Sequence, residues 1–442
     1  MPQPPTPATD RAETILGVFD TAFGDLLAQD PAAFRVKFRK MAASAFAFYR
    51  GTAALYYADL TTAPFDSYGA SFLDDRTGRV WIHGDLHAEN FGTYLNAEGR
   101  LVFNVNDFDE AYVGAFTWDV QRLAASLALI GYAKALSDTT ITELVTAFAE
   151  AYRARIAAHV TSGDADPYTL DTATGPILAT LRQARLQTRV SLLDGDTVVE
   201  DYDRRFRLGG GAFELDEATK TEVLAAFEQY LTTLPPSSRV SPTALRVKDV
   251  VGRRGIGIGS AGLPSYNVLL EGHTDALEND VIIYMKQGQT PAVSRHVTDP
   301  AIAGYFQHEG HRTVISQRAL QSHSDPWLGY TTLHGRGQLV AEVSPYATDL
   351  DWRDLNELPD LLAVTRYLGR ATATMHAAAD ESSSGHTLVP FSTEHAIHEA
   401  ITRDEAGFTA MLVDFAHAYG ARARADHQLF VDLYRNGRIP GL

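Results

Sequence analysis

Residues 79–109 place two polar clusters between short apolar strands, and no other part of the sequence limits the possible folds as much. The first cluster reads HGDLHAEN over residues 83–90, and the second reads NDFD over residues 106–109. An Asn-Ala-Glu-Gly turn separates two of the strands and predicts a β-hairpin. Such a hairpin would bring the two polar clusters together, so we expect a site here.

The residue types and their spacing are those that phosphoryl transfer requires. Asp85 would orient and deprotonate an acceptor hydroxyl, while Asn90, five positions later, would help to hold Mg²⁺ against nucleotide phosphates. Asp107, at a strand end, would supply the metal carboxylate, and Asp109 would assist it. The seventeen positions from Asn90 to Asp107 suit a hairpin that brings both side chains to one metal ion.

Two other interpretations of these residues stay open. A polar loop with capping Asp and Asn residues and core histidines would account for each residue singly, but poorly for the whole pattern followed by NDFD. A hydrolase site with Zn²⁺ held by His83, Asp85 and His87 is chemically plausible. That second alternative leaves Asn90 and a later glycine cluster without a role.

The glycine cluster reads GIGIGSAG over residues 255–262. Glycines at this density allow backbone amides to approach phosphates closely. A Rossmann turn would lead into a helix, whereas the following SYNVLLEG alternates and predicts a strand. We therefore expect a nucleotide-covering turn that uses Gly257, Gly259, Ser260 and Gly262. A glycine-rich hairpin without a ligand is the alternative.

Lys286 ends the next apolar strand, in the segment VIIYMKQG. A buried ammonium is costly without a partner. In protein kinases a lysine at this place binds nucleotide phosphates and pairs with a glutamate of the following helix. Glu309, in the helix predicted over Ala301–Gln321, is the candidate partner. The alternatives are an edge-strand lysine that reaches water and a glutamate on a solvated helix face.

Together these segments resemble aminoglycoside and choline-type phosphotransferases of the protein-kinase-like superfamily, whose catalytic loop reads HGDLHxxN. With AFAFYRGTAALYYADL (45–60) and FTWDVQRLAASLAL (116–129), the chain is more similar to the bacterial family called domain of unknown function 2252, over about residues 36–380. The resemblance implies an α+β, two-lobed kinase-like fold that binds ATP and Mg²⁺. In that fold an Asp at the position of Asp119 often fixes the catalytic loop by hydrogen bonds, although a plain N-cap would look the same.

The motifs stand in an unusual order, because the catalytic loop precedes the glycine cluster and Lys286. Residues Leu358–Ala379 resemble the helix that normally leads into the catalytic loop. A circular permutation accounts for both facts, since such rearrangements are tolerated where termini lie close together. The sequence thus predicts an N-terminal extension with a helix (1–35), a helical catalytic lobe (36–235), a β-rich nucleotide lobe (236–346) and C-terminal helices on the catalytic lobe (347–442). Nucleotide would bind between the lobes near residues 343–346.

Composition restricts the partners and the compartment. With 38 basic against 55 acidic residues and a net charge of −17, the chain lacks the basic face of nucleic-acid binders. No apolar segment reaches the ~20 residues that a bilayer crossing needs, and the N-terminus has no signal-peptide pattern. The absence of cysteine excludes disulfides and thiolate metal sites and fits a reducing cytoplasm.

We therefore expect a cytoplasmic enzyme that transfers a phosphoryl group from ATP, with Mg²⁺, to the hydroxyl of a small molecule. The acidic charge would suit a cationic acceptor, and we expect neither nucleic acid nor membrane as a partner. A nucleotide-binding pseudokinase that senses rather than transfers is the main rival, and the zinc hydrolase is the second.

Overall fold

The computed structural model describes residues 8–162, 167–235, 243–254, 262–321, 323–380 and 387–442. The described residues form many α-helices and several separate antiparallel sheets, which confirms the predicted α+β class. Gly257, Gly259 and Ser260 lie outside the described residues, so the predicted phosphate turn is described only at Gly262. No helix of the described ranges is long and apolar enough to cross a membrane.

The helices are spread over the whole chain. They are α1 (Ala8–Gln29), α2 (Pro31–Met41), α3 (Ala45–Arg50), α4 (Ala53–Leu60), α5 (Phe116–Ala133), α6 (Asp138–Ser162), α7 (Gly175–Arg185), α8 (Arg189–Asp196), α9 (Glu217–Leu231), α10 (Pro300–Ala303), α11 (Glu309–Leu320), α12 (Leu358–Ala378), α13 (Thr393–Thr402) and α14 (Glu405–Arg435).

The strands are short in the first half and longer in the second. They are β1 (Val80–Ile82), β2 (Phe91–Leu95), β3 (Leu101–Val105), β4 (Tyr112–Gly114), β5 (Tyr168–Thr169), β6 (Thr197–Glu200), β7 (Asp203–Phe206), β8 (Ala212–Phe213), β9 (Val247–Arg253), β10 (Ser265–Leu270), β11 (Val281–Gln287), β12 (Gly329–Leu333) and β13 (Arg336–Glu342).

The helical part is built around α5, in which nearly every residue is buried. Helix α14 packs on α5, and α12 packs on α6. One hydrophobic core therefore takes in residues from Tyr49 to Ala423, so that the first third and the last fifth of the chain share it. The predicted hairpin is confirmed, because β2 and β3 pair from Phe91 opposite Val105 to Leu95 opposite Leu101. This places the two polar clusters at the same end of the hairpin.

A six-stranded antiparallel sheet forms the second part, in the order β12-β13-β11-β10-β9-β8. Strand β10 is buried along its whole length, and its alternate side chains face opposite sides. Val268 lies in a cluster with Phe227 of α9, whereas Leu269 lies in a cluster with Leu193 of α8. Helix α11 packs on β12 and β13. Helices thus cover the sheet on both faces.

Helix α9, which lies before the boundary predicted at residue 235, packs on the sheet that follows that boundary. An amphipathic pattern shows an apolar face but not the core that receives it. One sequence-based assignment differs from the structure. The single helix predicted over Ala301–Gln321 is two helices, α10 and α11. Gly304 ends the first, and the His308 side chain caps the second by accepting a hydrogen bond from the His311 amide.

Candidate active site

A cavity of about 640 Å³ lies where the sheet, the two polar clusters and the first two helices meet. Its wall includes Asp85, Asp107 and Asp109 from the polar clusters, Glu309 from α11, and Lys37 from α2. Gly262, with φ +78°, lies beside α2, since a Cβ at this position would be 3.4 Å from the Phe34 ring. The structure therefore brings the predicted base, two predicted metal carboxylates and the predicted helix glutamate to one space.

Helix α5 fixes the first polar cluster in place. The Asp119 carboxylate accepts hydrogen bonds from the backbone amides of His83 (2.6 Å) and Gly84 (3.0 Å). The Ser126 hydroxyl, two turns further along, accepts one from the Ala88 amide at 3.0 Å. Asp119 is fully buried and lies in the first turn of α5, and the N-cap is another residue. These are the hydrogen bonds that the resemblance led us to expect between Asp119 and the loop of residues 83–90.

Asp85 is held at one oxygen only. The Arg122 Nε donates to Asp85 Oδ1 at 2.7 Å, and the guanidinium lies 4.3 Å from the centre of the Tyr49 ring. Asp85 Oδ2 accepts no hydrogen bond from the described residues, and His87 Nε2 is 4.0 Å away from it. Burial raises the pKa of Asp85, and the Arg122 charge opposes that rise. The free oxygen is the atom that could take a proton from a substrate.

Asn90 is oriented by a hydrogen bond to Asp85. Its Nδ2 donates to the Asp85 backbone carbonyl at 2.9 Å, which leaves the amide oxygen as the free end. The backbone amide of Asn106 donates to the backbone carbonyl of Asn90 at 3.0 Å, which connects the two polar clusters. Amide and carboxylate oxygens are ligands that Mg²⁺ accepts, usually with only one or two carboxylates and the substrate phosphates.

Asp107 has an unusual backbone conformation and is exposed on the cavity wall. Its φ of +60° lies in the left-handed region, which is uncommon outside glycine and is concentrated at functional sites. No described residue donates a hydrogen bond or forms an ion pair to its carboxylate. The surrounding protein raises the pKa of this carboxyl, and the Asp109 charge raises it further. Because the side chain is exposed in the cavity and carries no ion pair with a described residue, its carboxylate is available to a metal ion.

Lys286 links the sheet to the second polar cluster. Its ammonium donates to the Asp109 carboxylate, and not to Glu309 as the sequence predicted. Burial would lower the pKa of Lys286, but Asp109 and Asp107 outweigh it and raise that pKa. Glu309 accepts instead from Arg312 Nε at 2.8 Å, one turn along α11. This predicted pair is wrong because a nearby arginine on the same helix takes the glutamate.

A family model described as an uncharacterized protein conserved in bacteria (DUF2252) matches residues 29–433, nearly the whole chain. The chain belongs to the DUF2252 family. No curated protein matches the sequence, and no solved structure matches it. The family resemblance indicated by the motifs is confirmed, and its description names no activity, so any function of this DUF2252 member must be inferred from the site.

The zinc alternative does not fit the geometry of this DUF2252 member. His83 Nε2 lies 2.9 Å from the Asn106 carbonyl, and His83 Nδ1 accepts a hydrogen bond from the Asp85 amide at 3.3 Å. Both ring nitrogens are therefore engaged with the backbone. Within the described ranges, no three or more His, Asp or Glu side chains are grouped closely enough to hold a metal ion.

Three cavity-side residues were missed by the sequence analysis. Glu110 follows NDFD directly and accepts hydrogen bonds from Gln289 Nε2 (3.0 Å) and the Ala292 amide (2.6 Å). Burial raises the pKa of Glu110 to about 7, and Asp85 adds to the rise. Arg122 could have been found, because it is a charged residue three positions after Asp119 in an apolar helix. Lys37 gives no such signal, since a lysine in an amphipathic helix usually faces water.

Proposed function

We propose that this protein is an ATP- and Mg²⁺-dependent phosphotransferase that acts on a hydroxyl of a small molecule. The observation that carries the proposal is that the six-stranded sheet and the two polar clusters of the helical part meet at one cavity. A carboxylate base on a loop fixed by α5 lies there with Asp107, whose carboxylate has no cationic partner among the described residues. Lys286 of the sheet reaches the same cluster through Asp109.

The roles follow from the geometry and from what phosphoryl transfer needs. Asp85 Oδ2 accepts the proton of the attacking hydroxyl. The Asn90 amide oxygen and the Asp107 carboxylate hold Mg²⁺, which when bound neutralises the phosphate charge, and Asp109 assists. The Lys286 ammonium binds phosphate oxygens. It either breaks its ion pair with Asp109 to do so or contacts Asp109 and the phosphates together. Gly257, Gly259, Ser260 and Gly262 would cover the phosphates, and Glu309 lies on the cavity wall.

The topology of the sheet supports a kinase-like nucleotide lobe. Strands β9, β10 and β11 are consecutive neighbours, with the glycine cluster between the first two. The lysine lies on the third strand, and helix α11 follows it. Protein kinases use the same succession of glycine loop, third-strand lysine and helix glutamate. We infer that the small lobe of this chain is built on that plan.

Contacts of α12 support the proposed circular permutation. His376, near the end of α12, places Nε2 3.2 Å from the Asp119 carboxylate that holds the His83 amide. Beyond that helix, the Leu388 carbonyl accepts from Arg79 Nε at 3.3 Å, one residue before β1. The end of α12 thus lies beside the start of the catalytic loop. A direct connection would exist there in a kinase of ordinary order.

Substitutions of the two central carboxylates test the proposal. Asp85→Asn should leave Mg·ATP affinity nearly intact and lower turnover by about 10²–10⁴-fold, as expected for loss of a general base. Asp107→Ala should weaken both Mg²⁺-dependent nucleotide binding and turnover, because it removes a metal ligand. Calorimetric titration with Mg·ATP and an ADP-release screen over hydroxyl compounds measure the two effects.

The same experiment distinguishes the rival functions. A pseudokinase would bind Mg·ATP and release no ADP with any acceptor, so Asp85→Asn would have no turnover to remove. Equal loss of nucleotide binding in both variants would show that Asp85 is not the base. A wild-type protein that binds no Mg·ATP would contradict the phosphotransferase assignment altogether. Thermal melting of Asp85→Asn checks that the unpaired Arg122 has not unfolded the loop.

A further inference from the structure

Lys37 is a buried cation that contacts aromatic rings but has no anionic partner among the described residues. Only 4% of the residue is exposed, and its ammonium lies 4.1 Å from the centre of the Phe23 ring and 5.6 Å from that of Phe34. No described residue forms a hydrogen bond or an ion pair with it, although it lines the cavity. Removing an ammonium from water is costly without compensation. An unpaired lysine directed into a cavity therefore points to an anionic ligand.

The position of Lys37 indicates which part of a ligand it meets. The charges that act on it most are those of Glu110 and Asp85, rather than the metal-site carboxylates. The Phe34 ring, 5.6 Å from the ammonium, also lies against Gly262, the last residue of the glycine cluster. Lys37 thus lies near Gly262 and lines the same cavity as Asp85.

We propose that Lys37 binds the terminal phosphoryl group of the nucleoside triphosphate and holds it during transfer. The inference rests on the proposed function. The attacked phosphorus must lie next to the hydroxyl held by Asp85, and Lys37 lines the same cavity as Asp85. During transfer, negative charge is spread over the three equatorial oxygens of that group. A preorganised ammonium in a water-poor site stabilises such charge.

In the proposed phosphoryl transfer, Lys37 neither gains nor loses a proton. The acceptor oxygen forms a bond to the terminal phosphorus, and the bond from that phosphorus to the bridging oxygen of ADP breaks. The hydroxyl proton passes to Asp85 Oδ2. Of the other cations in or beside the cavity, Lys286 pairs with Asp109 and Arg50 pairs with Glu89. Arg295 and Arg336 also line the cavity, but both are exposed to solvent. Lys37 has no such pair among the described residues.

Comparison of a triphosphate with a diphosphate tests the proposal without knowledge of the acceptor. We expect Lys37→Met to weaken binding of a non-hydrolysable Mg·ATP analogue by about 10–100-fold, the loss expected for one charge-assisted hydrogen bond. Binding of Mg·ADP, which lacks the terminal group, should change less than about 2-fold. Lys40→Met is the matched control, because Lys40 lies on the same helix, is exposed and does not line the cavity. It should change neither affinity.

Each outcome of the titrations is decisive. Unchanged triphosphate binding in Lys37→Met, or equal losses for triphosphate and diphosphate, would overturn the role of Lys37. A wild-type protein that binds neither nucleotide would instead refute the proposed function. Methionine is similar in length and removes an unpaired buried charge, so the melting temperature should not fall. Lys37→Gln serves as a second variant if Lys37→Met does not fold.

Discussion

At the scale of single residues, the acids around the cavity differ in how their charge is balanced. Arg122 holds Asp85 and Lys286 holds Asp109, whereas no cation pairs with Asp107 among the described residues. Glu110 is held by a side-chain amide and a backbone amide, which are neutral donors. Two of the four acids are thus fixed by cations, Asp107 is exposed without an ion pair to a described residue, and the half-buried Glu110 bears an unfavourable charge near neutral pH.

Replacement of Glu110 should therefore change how stability depends on pH. Its pKa is raised from 4.5 to about 7, so the folded protein binds a proton that the unfolded chain releases in this range. This contribution to stability is fully present below pH 4.5 and is lost as pH rises to about 7. Relative to wild type, Glu110→Gln should gain about 1–2 kcal/mol of stability between pH 4 and pH 8, after allowance for solvent screening.

Melting temperatures of both proteins across this pH range measure the effect of Glu110. Because glutamine resembles protonated glutamate, the comparison isolates the charge, and other titrating groups cancel. A difference between the two proteins that stays constant from pH 4 to pH 8 would show that Glu110 titrates normally. Glu278→Gln, at an exposed position outside the cavity, is the matched control for the substitution itself.

Motif spacing predicted the positions of the central residues but not their partners. Asp85, Asn90 and Asp107 meet because a short hairpin brings them together, and a hairpin can be read from local sequence. The partner of Lys286 depends on how the sheet docks on the hairpin, which no local pattern encodes. Lys37 was missed for the same reason, since only the packing of α1 and α2 on the cavity buries it.

At the scale of elements, α5 supports the loop of residues 83–90. Asp119, Arg122 and Ser126 are three and then four positions apart, so they lie on one face of the helix. That face holds the His83 and Gly84 amides, the Asp85 carboxylate and the Ala88 amide. Helices with such regular patterns were predicted well, and α12 ends one residue before its predicted end. Their docking partners were not predicted, as α9 shows.

The energetic coupling between α5 and the loop can be measured at Arg122 and Asp85. Each single substitution, Arg122→Met or Asp85→Asn, leaves one buried charge unpaired and should cost about 3–5 kcal/mol. The double variant should be more stable than the sum of the two losses predicts, by about 0.5–3 kcal/mol, because neither charge is then left alone. Urea unfolding followed by tryptophan fluorescence provides the free energies.

The ion pair between Arg76 and Glu399 provides a control for this cycle. Both side chains are about half exposed, at 42% and 57%, so the same cycle there should give a coupling below about 1 kcal/mol. Strict additivity at Arg122 and Asp85 would mean that α5 positions the loop through Asp119 and Ser126 alone. The loss of turnover in Asp85→Asn would still be expected in that case.

At the scale of the whole molecule, the first described helix, α1, packs against the last, α14. Arg11 of α1 donates to Asp59 of α4 at 2.6 Å and to Asp426 of α14 at 2.9 Å, and all three residues are buried. The end of the chain returns to the same helix, since a Cβ on Gly441 would be 2.3 Å from Leu27. Gly441 thus lies beside the end of α1, about 30 Å along that helix from Ala8, a span that a linker can bridge.

A permuted variant should therefore fold in the ordinary kinase order. We join residue 442 to residue 1 through about twelve Gly/Ser residues, enough with residues 1–7 to follow the length of α1. New termini are opened between Asp201 and Tyr202, a turn of two positive-φ residues at which Tyr202 is 98% exposed. The glycine cluster and Lys286 then precede the catalytic loop. Because all packing contacts are kept, the variant should fold and bind Mg·ATP with wild-type affinity.

A second permuted variant, with its new termini inside α5, tests whether the position of the new termini decides folding. A break between Ala124 and Ala125, both fully buried, interrupts the helix that supports the catalytic loop, so this variant should not fold. Circular dichroism and calorimetric titration with Mg·ATP measure folding and binding for both variants. If opening at residue 201 also abolished folding, the natural order of the lobes would be required for folding and not only tolerated. Folding with lost nucleotide binding would instead show that β6 and β7 must remain joined to keep the cavity intact.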